Sequence, residues 1–372
     1  MLYPMVFVVG TRAQLIKVAP VVVATERVGR ACTLLLTGQH RETMQDLVDE
    51  FGITAPQVSA VEAHEHATMF ALMRWLPTAY RSVKARLRVL ADGADGIDVL
   101  VHGDTLSTLI GAYAAHRLRA RVVHLESGLT SGRLFDPFPE ELCRRLVFRH
   151  TDVAMCPNPL AAKHMQRYQR ARVVDTGGNT IVDAVALTGA AGIRPDPDAP
   201  YLVASLHRFQ NIYNRRRLKD LVALIKDLAS GVPVHFVLHP ATRKRLQSDG
   251  LLEQLEQAPG VVLASRMGYG AFLRLAAGAA CVLTDGGSNQ EELAVLGVPT
   301  VVMRATTERP DGLGVNAIME ADVPGGVVEF IRSGAIASLR RNPIAPMRPG
   351  PSDRIVEFLA GSGRIGFDRE AP

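Results

Sequence analysis

Two carboxylates stand at or inside the ends of short apolar runs, where a buried strand is expected. Asp104 comes directly after the run DVLVHG, and Glu126 lies inside the next run, RVVHLES. A carboxylate inside a buried strand is costly unless it is paired or used. Burial also raises the pKa of a carboxyl group toward the range that general acid–base catalysis needs. Asp104 and Glu126 are therefore the first candidates for catalysis.

A second pair of carboxylates, Glu140 and Glu141, stands in the segment PFPEELCRR. Arg144 and Arg145 follow about one helical turn later, so salt bridges within one helix are the alternative role for this pair. For Glu141 the structural role is the favoured interpretation. Glu140 stays a candidate for proton transfer beside Asp104.

Two cations follow the first apolar run, MVFVVG. Arg12 comes immediately after Gly10 and Thr11, and Lys17 follows five residues later. A guanidinium can hold two phosphate oxygens at once, and a lysine adds a point charge. The alternative for Lys17 is a solvated lysine on a helix. The pattern favours an anionic ligand at this strand end.

The segment TDGGSNQEEL combines a strand end, a glycine turn and the start of a helix. Glycines such as Gly286 and Gly287 let a backbone approach a ligand, and the N–H groups of a helix start bind phosphate. The alternative is a tight turn capped by Ser288. The segment is neither a Walker loop nor a G-x-G-x-x-G fingerprint, which favours a nucleoside diphosphate over a dinucleotide. Glu291 and Glu292 can bind ribose hydroxyls or compensate the helix dipole.

Histidines follow two later apolar runs. His207 and Arg208 come after PYLVASL, and His239 comes after PVHFVL. His207 and Arg208 can protonate or charge-stabilise a leaving phosphate. The remaining histidines discussed here follow no metal-ligand spacing, so we predict surface or core positions and no metal site for His64, His66, His116, His150 and His164. The run 215–217, three arginines, is predicted to be the solvated start of a helix.

Composition limits the class of protein. The 372 residues carry 42 Lys and Arg against 37 Asp and Glu, a formal charge of +5, and 47% are hydrophobic. This is the balance of a folded protein of about two domains. Four separated cysteines indicate reduced thiols rather than disulfides or zinc ligands. We expect no nucleic-acid partner, because no basic and aromatic motif occurs, and no membrane span or signal peptide, hence a cytoplasmic location.

The apolar runs alternate with helix-like segments, which predicts an α/β fold with parallel sheets covered on both faces. The segment 188–200 is rich in proline and interrupts the alternation, so we interpret it as a linker. We predict two Rossmann-like doubly wound domains facing across a cleft, 1–187 and 188–351, with a helix at 352–365 packing back on the first. The predicted strands are Met5–Gly10, Cys32–Gly38, Asp98–Gly103, Arg121–Ser127, Asp152–Pro157, Pro200–Leu206, Pro233–His239, Gly260–Ser265, Cys281–Gly286 and Pro299–Arg304.

Ordered motifs through most of the chain resemble the non-hydrolysing UDP-N-acetylglucosamine 2-epimerase family. The motifs that carry the resemblance are GTRAQLIKVAPVV, TGQHRE, HGDTLSTL, HLESGL, PFPEELCRRL, GGNTIVDA, SLHRFQN, LHPATRKRL, TDGGSNQEE and RATTERPDG. The resemblance implies a GT-B fold, a homodimer, a UDP-sugar as the small-molecule partner, and no cofactor. The second domain would hold most of the UDP.

The resemblance also implies roles for individual residues. It makes Asp104, Glu126, Glu140, His207 and Lys17 the reacting site. It makes the substrate-binding residues Arg12, Gly286, Gly287, Ser288, Glu292, Arg144, Arg309 and His239. The sequence departs from the family pattern where Ala13 and Gln14 replace Pro and Glu, and where Thr130 replaces Arg. Further departures are Cys143, Gln210, Gly286 and Ser288, and Glu42 in the stretch that in the family lies near an allosteric site.

The family reaction inverts C2 of UDP-N-acetylglucosamine by eliminating UDP to give 2-acetamidoglucal and adding UDP back. The alternatives are an epimerase of a modified UDP-HexNAc such as a 2,3-diacetamido uronic acid, a hydrolysing 2-epimerase that releases N-acetylmannosamine, and a GT-B glycosyltransferase. A binding protein with a decayed site is a further alternative. A glycosyltransferase would need an acceptor groove and does not require the carboxylates Asp104, Glu126 and Glu140.

Overall fold

The computed structural model describes residues 3–38, 44–61, 69–130, 132, 139–307 and 309–361, with the backbone alone for 69–74. Packing divides them into two units. The first unit comprises the described residues up to Ala184 together with those from Pro346 onward, and the second unit comprises Val185–Ala345. Among the described residues, no helix is both long and apolar enough to cross a bilayer.

The first unit is built on a parallel sheet of seven described strands. They are β1 Met5–Val9, β2 Cys32–Leu36, β3 Gln57–Ser59, β4 Asp98–His102, β5 Arg121–Leu125, β6 Val153–Cys156 and β7 Arg172–Asp175. Their order in the sheet is β3-β2-β1-β4-β5-β6-β7. The intervening helices are α1 Arg12–Arg27, α2 Gln45–Glu50, α3 Met69–Leu90, α4 Leu106–Arg117, α5 Glu140–His150, α6 Pro159–Met165 and α7 Ile181–Leu187.

Apolar side chains on both faces explain the central strands, because every residue of β1, β4 and β5 is buried. Polar residues then begin the helices. The hydroxyl of Thr11 accepts the N–H of Gln14 at the start of α1, and that of Thr105 accepts the N–H of Thr108 at the start of α4, both at 3.2 Å. This strand, turn and cap order brings polar side chains to the carboxyl edge of the sheet.

The second unit repeats this plan with six described parallel strands. They are β8 Leu202–Ser205, β9 Val234–Leu238, β10 Val261–Ser265, β11 Cys281–Thr284, β12 Thr300–Val302 and β13 Ala317–Met319, in the order β10-β9-β8-β11-β12-β13. The helices are α8 Phe209–Ile212, α9 Arg215–Ala229, α10 Pro240–Ser248, α11 Leu252–Glu256, α12 Tyr269–Gly278, α13 Gly287–Leu296 and α14 Val327–Arg332. The predicted linker contains a short 3-10 turn at Ala190–Gly192.

A last helix, α15 Pro351–Gly361, belongs to the first unit and packs on α1. The backbone N–H of Ser352 donates to Asp183 at 2.8 Å, and Arg27 pairs with Asp353. Apolar residues of the helix, Ile355, Val356 and Leu359, are buried. The predicted extension of this helix over 362–365 lies outside the described residues.

The structure confirms two parallel-sheet α/β domains, and each of the ten predicted strands is present. The sequence missed β3, β7 and β13, which lie at sheet edges. The four cysteines are free thiols. Burial raises the pKa of Cys143, Cys156 and Cys281 to about 12, as expected of inert core thiols.

Candidate functional site

Glu126, at the carboxyl end of β5, is the centre of a buried polar cluster in the first unit. Its Oε1 accepts hydrogen bonds from Lys17 Nζ and Asn179 Nδ2, each at 2.8 Å. Its Oε2 lies 3.2 Å from His102 Nε2. The side chains of Lys17 and Glu126 are 5% and 8% exposed. Lys17 is therefore a buried partner of Glu126, and the solvated-lysine alternative is wrong.

The backbone at Glu126 is in the left-handed region, with φ of +56°. This conformation costs a residue with a side chain about 1–2 kcal/mol. Gly103, at the end of the neighbouring strand, has φ of +68°, and a Cβ there would lie 3.8 Å from Glu126 Oε2. The two turns thus bring a glycine backbone and the carboxylate side by side.

His124, a buried residue of β5, contacts the turn at Gly103. Its Nε2 lies 2.8 Å from the carbonyl oxygen of Gly103, and the side chain is buried in β5. Burial lowers the pKa of His124 to about 4, so the ring is neutral at pH 7. A neutral ring with Nε2–H can donate to the Gly103 carbonyl and hold the turn before Asp104 in place.

Asp104 belongs to a second charged cluster, centred on Arg144. Arg144 pairs with Asp104, and its Nη1 donates to Glu141 Oε2 at 2.8 Å. Arg145 Nε donates to Glu141 Oε1 at 3.0 Å, and the Thr130 hydroxyl bonds the same oxygen at 2.5 Å. The structural salt-bridge role predicted for Glu141 is confirmed. Arg144 links this structural carboxylate to the candidate catalytic one, Asp104.

Glu140 is the first residue of α5 and differs from the other carboxylates. Its Oε2 is buried and accepts no hydrogen bond within the described part of the chain. The thiol of Cys143 follows one helical turn later on α5, and burial first, then the charges of Asp104 and Glu140, raise its pKa to about 12.

Gln14, which departs from the family pattern, joins the ends of two strands. Its Oε1 accepts the backbone N–H of Gly10 at 2.9 Å. Its Nε2 donates to the carbonyl oxygen of His102 at 2.8 Å and to the Thr108 hydroxyl at 2.9 Å. An amide can accept and donate at once, so glutamine satisfies both strand ends without a charge.

Arg12, predicted to contact a diphosphate, has a protein counter-charge in the structure. Its two Nη atoms bond both carboxylate oxygens of Asp46 on α2, at 2.5 and 2.6 Å. The Arg12 guanidinium holds the pKa of Asp46 below its usual range. A phosphate at Arg12 would compete with Asp46 for the same two N–H donors.

Asp285 organises the candidate site of the second unit. It is fully buried after β11, and its oxygens accept the backbone N–H of His207 at 3.0 and 3.1 Å and of Arg208 at 2.9 Å. Asn211 Nδ2 donates to it at 2.8 Å, and His207 Nδ1 lies 3.3 Å from it. The carboxylate fixes the turn that presents His207, whose ring centroid is 5.6 Å from that of His239.

The glycine turn before α13 fits neither of the purely structural roles considered from sequence, a cap by Ser288 and dipole compensation by Glu291 and Glu292. The helix begins at Gly287 and its N-cap is Gly286, so Ser288 is the second residue of the helix and the capping alternative is wrong. The first turn holds no acidic residue. Glu291 and Glu292 follow in the second turn, both buried, so dipole compensation is also wrong as their explanation.

The polar groups behind α13 are mutually bonded. Arg309 pairs with Glu291, and Gln290 Nε2 donates to the backbone carbonyls of Arg309 and Asp311 at 2.9 and 2.8 Å. These bonds fix the loop that carries Arg309 against the helix. Glu292 is 2% exposed on the same helix.

Arg217 corrects the prediction of a fully solvated arginine run. It bonds both carboxylate oxygens of Glu320, and its Nε donates to Asn211 Oδ1 at 3.2 Å. Arg217 thereby supports Asn211, which in turn bonds Asp285. Arg215 and Arg216 are exposed, as predicted.

The structure brings some predicted residues into contact within each unit and adds others. Lys17 meets Glu126, and Asp104 meets Arg144. The sequence assigned no role to the residues that hold these candidates in place, which are His102 and Asn179 at Glu126 and Asn211 and Asp285 at His207. Asn179 and Asp285 stand in the motifs GGNT and TDGGS, and that position was the available signal. His116, His150 and His164 make ring contacts within the first unit, whereas His64 and His66 lie outside the described residues.

Comparison with known proteins identifies the family of this chain. A sequence profile of the UDP-N-acetylglucosamine 2-epimerase family matches residues 24–329. The UDP-N-acetylglucosamine 2-epimerase of Methanocaldococcus jannaschii is 29% identical over 371 residues, which cover 95% of this chain and 97% of that protein. Its solved structure aligns at a TM-score of 0.74 and 25% identity, over 97% of this chain and 100% of that one.

A second structure of the Methanocaldococcus jannaschii enzyme, in complex with UDP-GlcNAc and UDP, aligns at a TM-score of 0.71 and 26% identity. It covers 97% of this chain and 100% of that one. Similarity over the full length confirms the predicted GT-B fold class. The profile match spans most of the chain, and the chain belongs to the UDP-N-acetylglucosamine 2-epimerase family.

Proposed function

We propose that the protein is a non-hydrolysing 2-epimerase that interconverts UDP-GlcNAc and UDP-ManNAc. The buried Lys17–Glu126 pair is the observation that supports this most, because a charged carboxylate held at a strand end is suited to stabilising a sugar cation. A related structure contains UDP-GlcNAc and UDP. Asp104 and Glu140 supply further carboxylates for proton transfer in the same unit.

The chemistry follows from the position of the reacting hydrogen. The C2 proton of the sugar is not adjacent to a carbonyl, so simple deprotonation is unfavourable. When the C1–O bond breaks, its electron pair leaves with UDP and C1 becomes cationic. Loss of the C2 proton to a carboxylate then forms the C1–C2 double bond of 2-acetamidoglucal. Protonation of C2 from the opposite face and attack of UDP on C1 give the epimer.

We assign the stabilisation of the C1 cation to Glu126. Lys17 and Asn179 hold its Oε1, so the carboxylate keeps a fixed orientation while charge develops. Proton transfer at C2 is assigned to Glu140 and Asp104. Glu140 is the stronger candidate because its Oε2 accepts no hydrogen bond among the described residues, whereas Asp104 is paired with Arg144.

We assign UDP binding chiefly to the second unit. The first N–H groups of α13, at Gly287 and Ser288, would bind the diphosphate, and Gly286 provides the close approach. Glu292 would bind the ribose. His207, fixed by Asp285, would stabilise or protonate the leaving diphosphate. Arg12, Arg144, Arg309 and His239 complete the proposed substrate contacts.

Incubation with UDP-GlcNAc in D2O, followed by NMR, tests this function. We expect deuterium at C2 of both UDP-GlcNAc and UDP-ManNAc while the total UDP-sugar stays constant. Release of UDP and free N-acetylmannosamine would show a hydrolysing enzyme instead. If UDP-GlcNAc stays unlabelled, the same experiment with a 2,3-diacetamido UDP-uronic acid separates a different sugar specificity from a protein that only binds UDP.

Variants test the assignment of residues. Glu140→Gln, Asp104→Asn, Glu126→Gln and His207→Asn should each reduce deuterium incorporation by about 10²-fold or more. Lys163→Gln is the matched control, because Lys163 is exposed on α6. Retention of turnover by Asp104→Asn, Glu126→Gln and His207→Asn alike would show that the site is placed wrongly. The resemblance also supports a homodimer, which light scattering of the purified protein would test.

A further inference from the structure

A pocket of about 290 Å³ lies in the second unit, away from the residues assigned to UDP. Its walls include Arg194, Arg340 and Arg341. Arg340 Nη2 bonds the carbonyl oxygens of Ala279 and Ala280, which directly precede β11. The pocket is therefore at the amino edge of the sheet.

His207 and Asp285 follow the opposite, carboxyl ends of the neighbouring strands β8 and β11. A strand of four residues is about 13 Å long. The pocket and the proposed UDP site of this unit are therefore separated by at least the length of a strand.

The arginines of the pocket have no carboxylate partner among the described residues. Arg194 Nη1 bonds the carbonyl oxygens of Ala191 and Ile193, and Arg341 Nη1 bonds those of Ser338 and Arg340. Among the residues that the structure describes, none that lines the pocket is acidic. Burial lowers the pKa of Arg340, and the charge of Arg194 lowers it further, so the two cations repel each other. Arg194 and Arg341 are exposed and Arg340 is partly buried, so the three arginines form a positive patch that attracts an anion.

Apart from Asn342, the rest of the wall is apolar, and backbone hydrogen bonds fix the segment that carries it. Its apolar members are Ala190, Ile193, Pro195, Ala277, Leu296 and Pro343. The N–H of Arg341 donates to Gly297 O at 2.9 Å, and that of Ile344 donates to Val295 O at 2.7 Å. The segment that carries Arg340 and Arg341 is thus attached to the end of α13, and the pocket is formed without a ligand.

We propose that this pocket binds a small organic oxyanion, a phosphate or carboxylate on a compact apolar group. The guanidinium groups of Arg194, Arg340 and Arg341 bind the oxygens, since planar guanidinium donors suit both anions. The apolar group lies against Ile193 and Leu296. The volume is just below the usual range of small-molecule sites, which favours a compact ligand.

Calorimetric titrations with phenyl phosphate, benzoate and inorganic phosphate test the proposal. They are carried out with saturating UDP, so that phosphate binding at the proposed UDP site does not contribute. We expect phenyl phosphate or benzoate to bind at least about tenfold more tightly than inorganic phosphate, because an apolar ring is buried. The measurement does not depend on epimerase activity, so the proposed function can fail without affecting it.

Substitutions in the pocket test whether the anion binds there. Arg194→Gln and Arg341→Gln should each weaken binding of the organic anion about tenfold, because each removes a charged donor. Arg216→Gln, an exposed arginine on α9, is the matched control and should bind like the unmodified protein. Ala277→Leu, which fills the pocket and leaves the arginines in place, should weaken the organic anions and affect inorganic phosphate less.

Three results would overturn the proposal: no saturable binding of either organic anion, equal affinity for the organic and inorganic anions, or affinity unchanged in the arginine variants. Thermal unfolding of each variant checks the fold. If an arginine variant is unfolded, Ala277→Leu tests the proposal in its place: unchanged affinity of this variant for the organic anions would overturn it.

Discussion

Glu126 combines two features that proteins otherwise avoid, a buried charge and a left-handed backbone. Lys17, Asn179 and His102 surround its carboxylate, so the charge is compensated where it is buried. Strained residues persist only where the surroundings hold them, and such residues are frequent at functional sites. Local sequence predicted that Glu126 is used. It did not predict Asn179, which is 53 residues away and does not titrate.

Replacement of Lys17 tests whether that compensation matters for the reaction. Lys17→Met keeps the length of the side chain and removes the charge, so Glu126 loses the cation that fixes its Oε1. We expect kcat to fall about 10²-fold or more with a smaller change in KM, measured by the NMR assay. Lys163→Met on the exposed face of α6 is the control. A kcat within threefold of the unmodified protein would contradict the role of Lys17.

Ion pairs between distant residues explain most of what single-residue reasoning missed. Arg217 stands in a run of arginines that looks solvated, yet its partner Glu320 is 103 residues away. Arg12 likewise pairs with Asp46 across 34 residues. Charge type and local spacing indicate where cations are useful, whereas the identity of the partner depends on how the chain folds.

At the scale of the elements, the buried central strands were predictable, whereas three of the four edge strands in the described sheets were missed and only β10 was found. Continuous apolar runs mark β1, β4 and β5, whose residues are all buried. In β3 and β7 the end residues are polar and exposed and only the valines between them are partly buried, and three or four such residues do not stand out from a loop. The helix starts also needed the structure, because α13 begins one residue before the serine that sequence suggested as its cap.

The turn after β5 depends on a glycine. Gly128 has φ of +89°, and a Cβ there would lie 2.2 Å from the carbonyl oxygen of Ala161 on α6. Gly128→Ala should therefore lower the free energy of unfolding by more than about 3 kcal/mol, through backbone strain and a backbone clash. Urea unfolding followed by the fluorescence of Trp75, the single tryptophan, measures this in the first unit.

Gly52 supplies the matched control for that substitution. Its φ is +65°, but a Cβ there would meet nothing within 4 Å. Gly52→Ala should then show the conformational cost alone, about 1 kcal/mol. Equal losses at the two positions would mean that the contact between the β5 turn and α6 does not contribute.

At the scale of the whole molecule, His124 makes the stability of the first unit depend on pH. Its pKa is about 4 when folded and about 6.5 when exposed, so the unfolded chain binds the extra proton between these values. The free energy of unfolding should therefore fall as pH drops from 7, by about 2 kcal/mol at pH 5 from this group. The loss should level off below pH 4, where both states are protonated.

His124→Gln isolates this contribution, because glutamine keeps a donor for the Gly103 carbonyl but does not titrate. Urea unfolding at pH 7, 6 and 5, followed by Trp75, should give a smaller pH dependence for the variant than for the unmodified protein. The same slope in both would show that other groups cause the acid sensitivity. The buried thiol of Cys281, in the second unit, offers a separate probe through its protection from alkylation.

The arginines of the described residues include some that are paired with carboxylates and others that are not. Arginines such as Arg144, Arg217 and Arg309 are matched with carboxylates, and Asp98 is shared by Arg30 and Arg121 in the core of the first unit. The net charge of +5 is therefore not spread evenly over unpaired surface groups. Part of it is concentrated at the arginine pocket of the second unit.

The attachment of α15 to α1 determines the order in which the protein can fold during synthesis. The second unit is one continuous stretch, and all of it leaves the ribosome before α15 does. The first unit must wait, because Asp183 bonds Ser352 and Arg27 pairs with Asp353, contacts that span up to 326 residues. On the ribosome, the unit that begins first is therefore the one that finishes last, and the part of α1 that α15 covers stays open to chaperones until then.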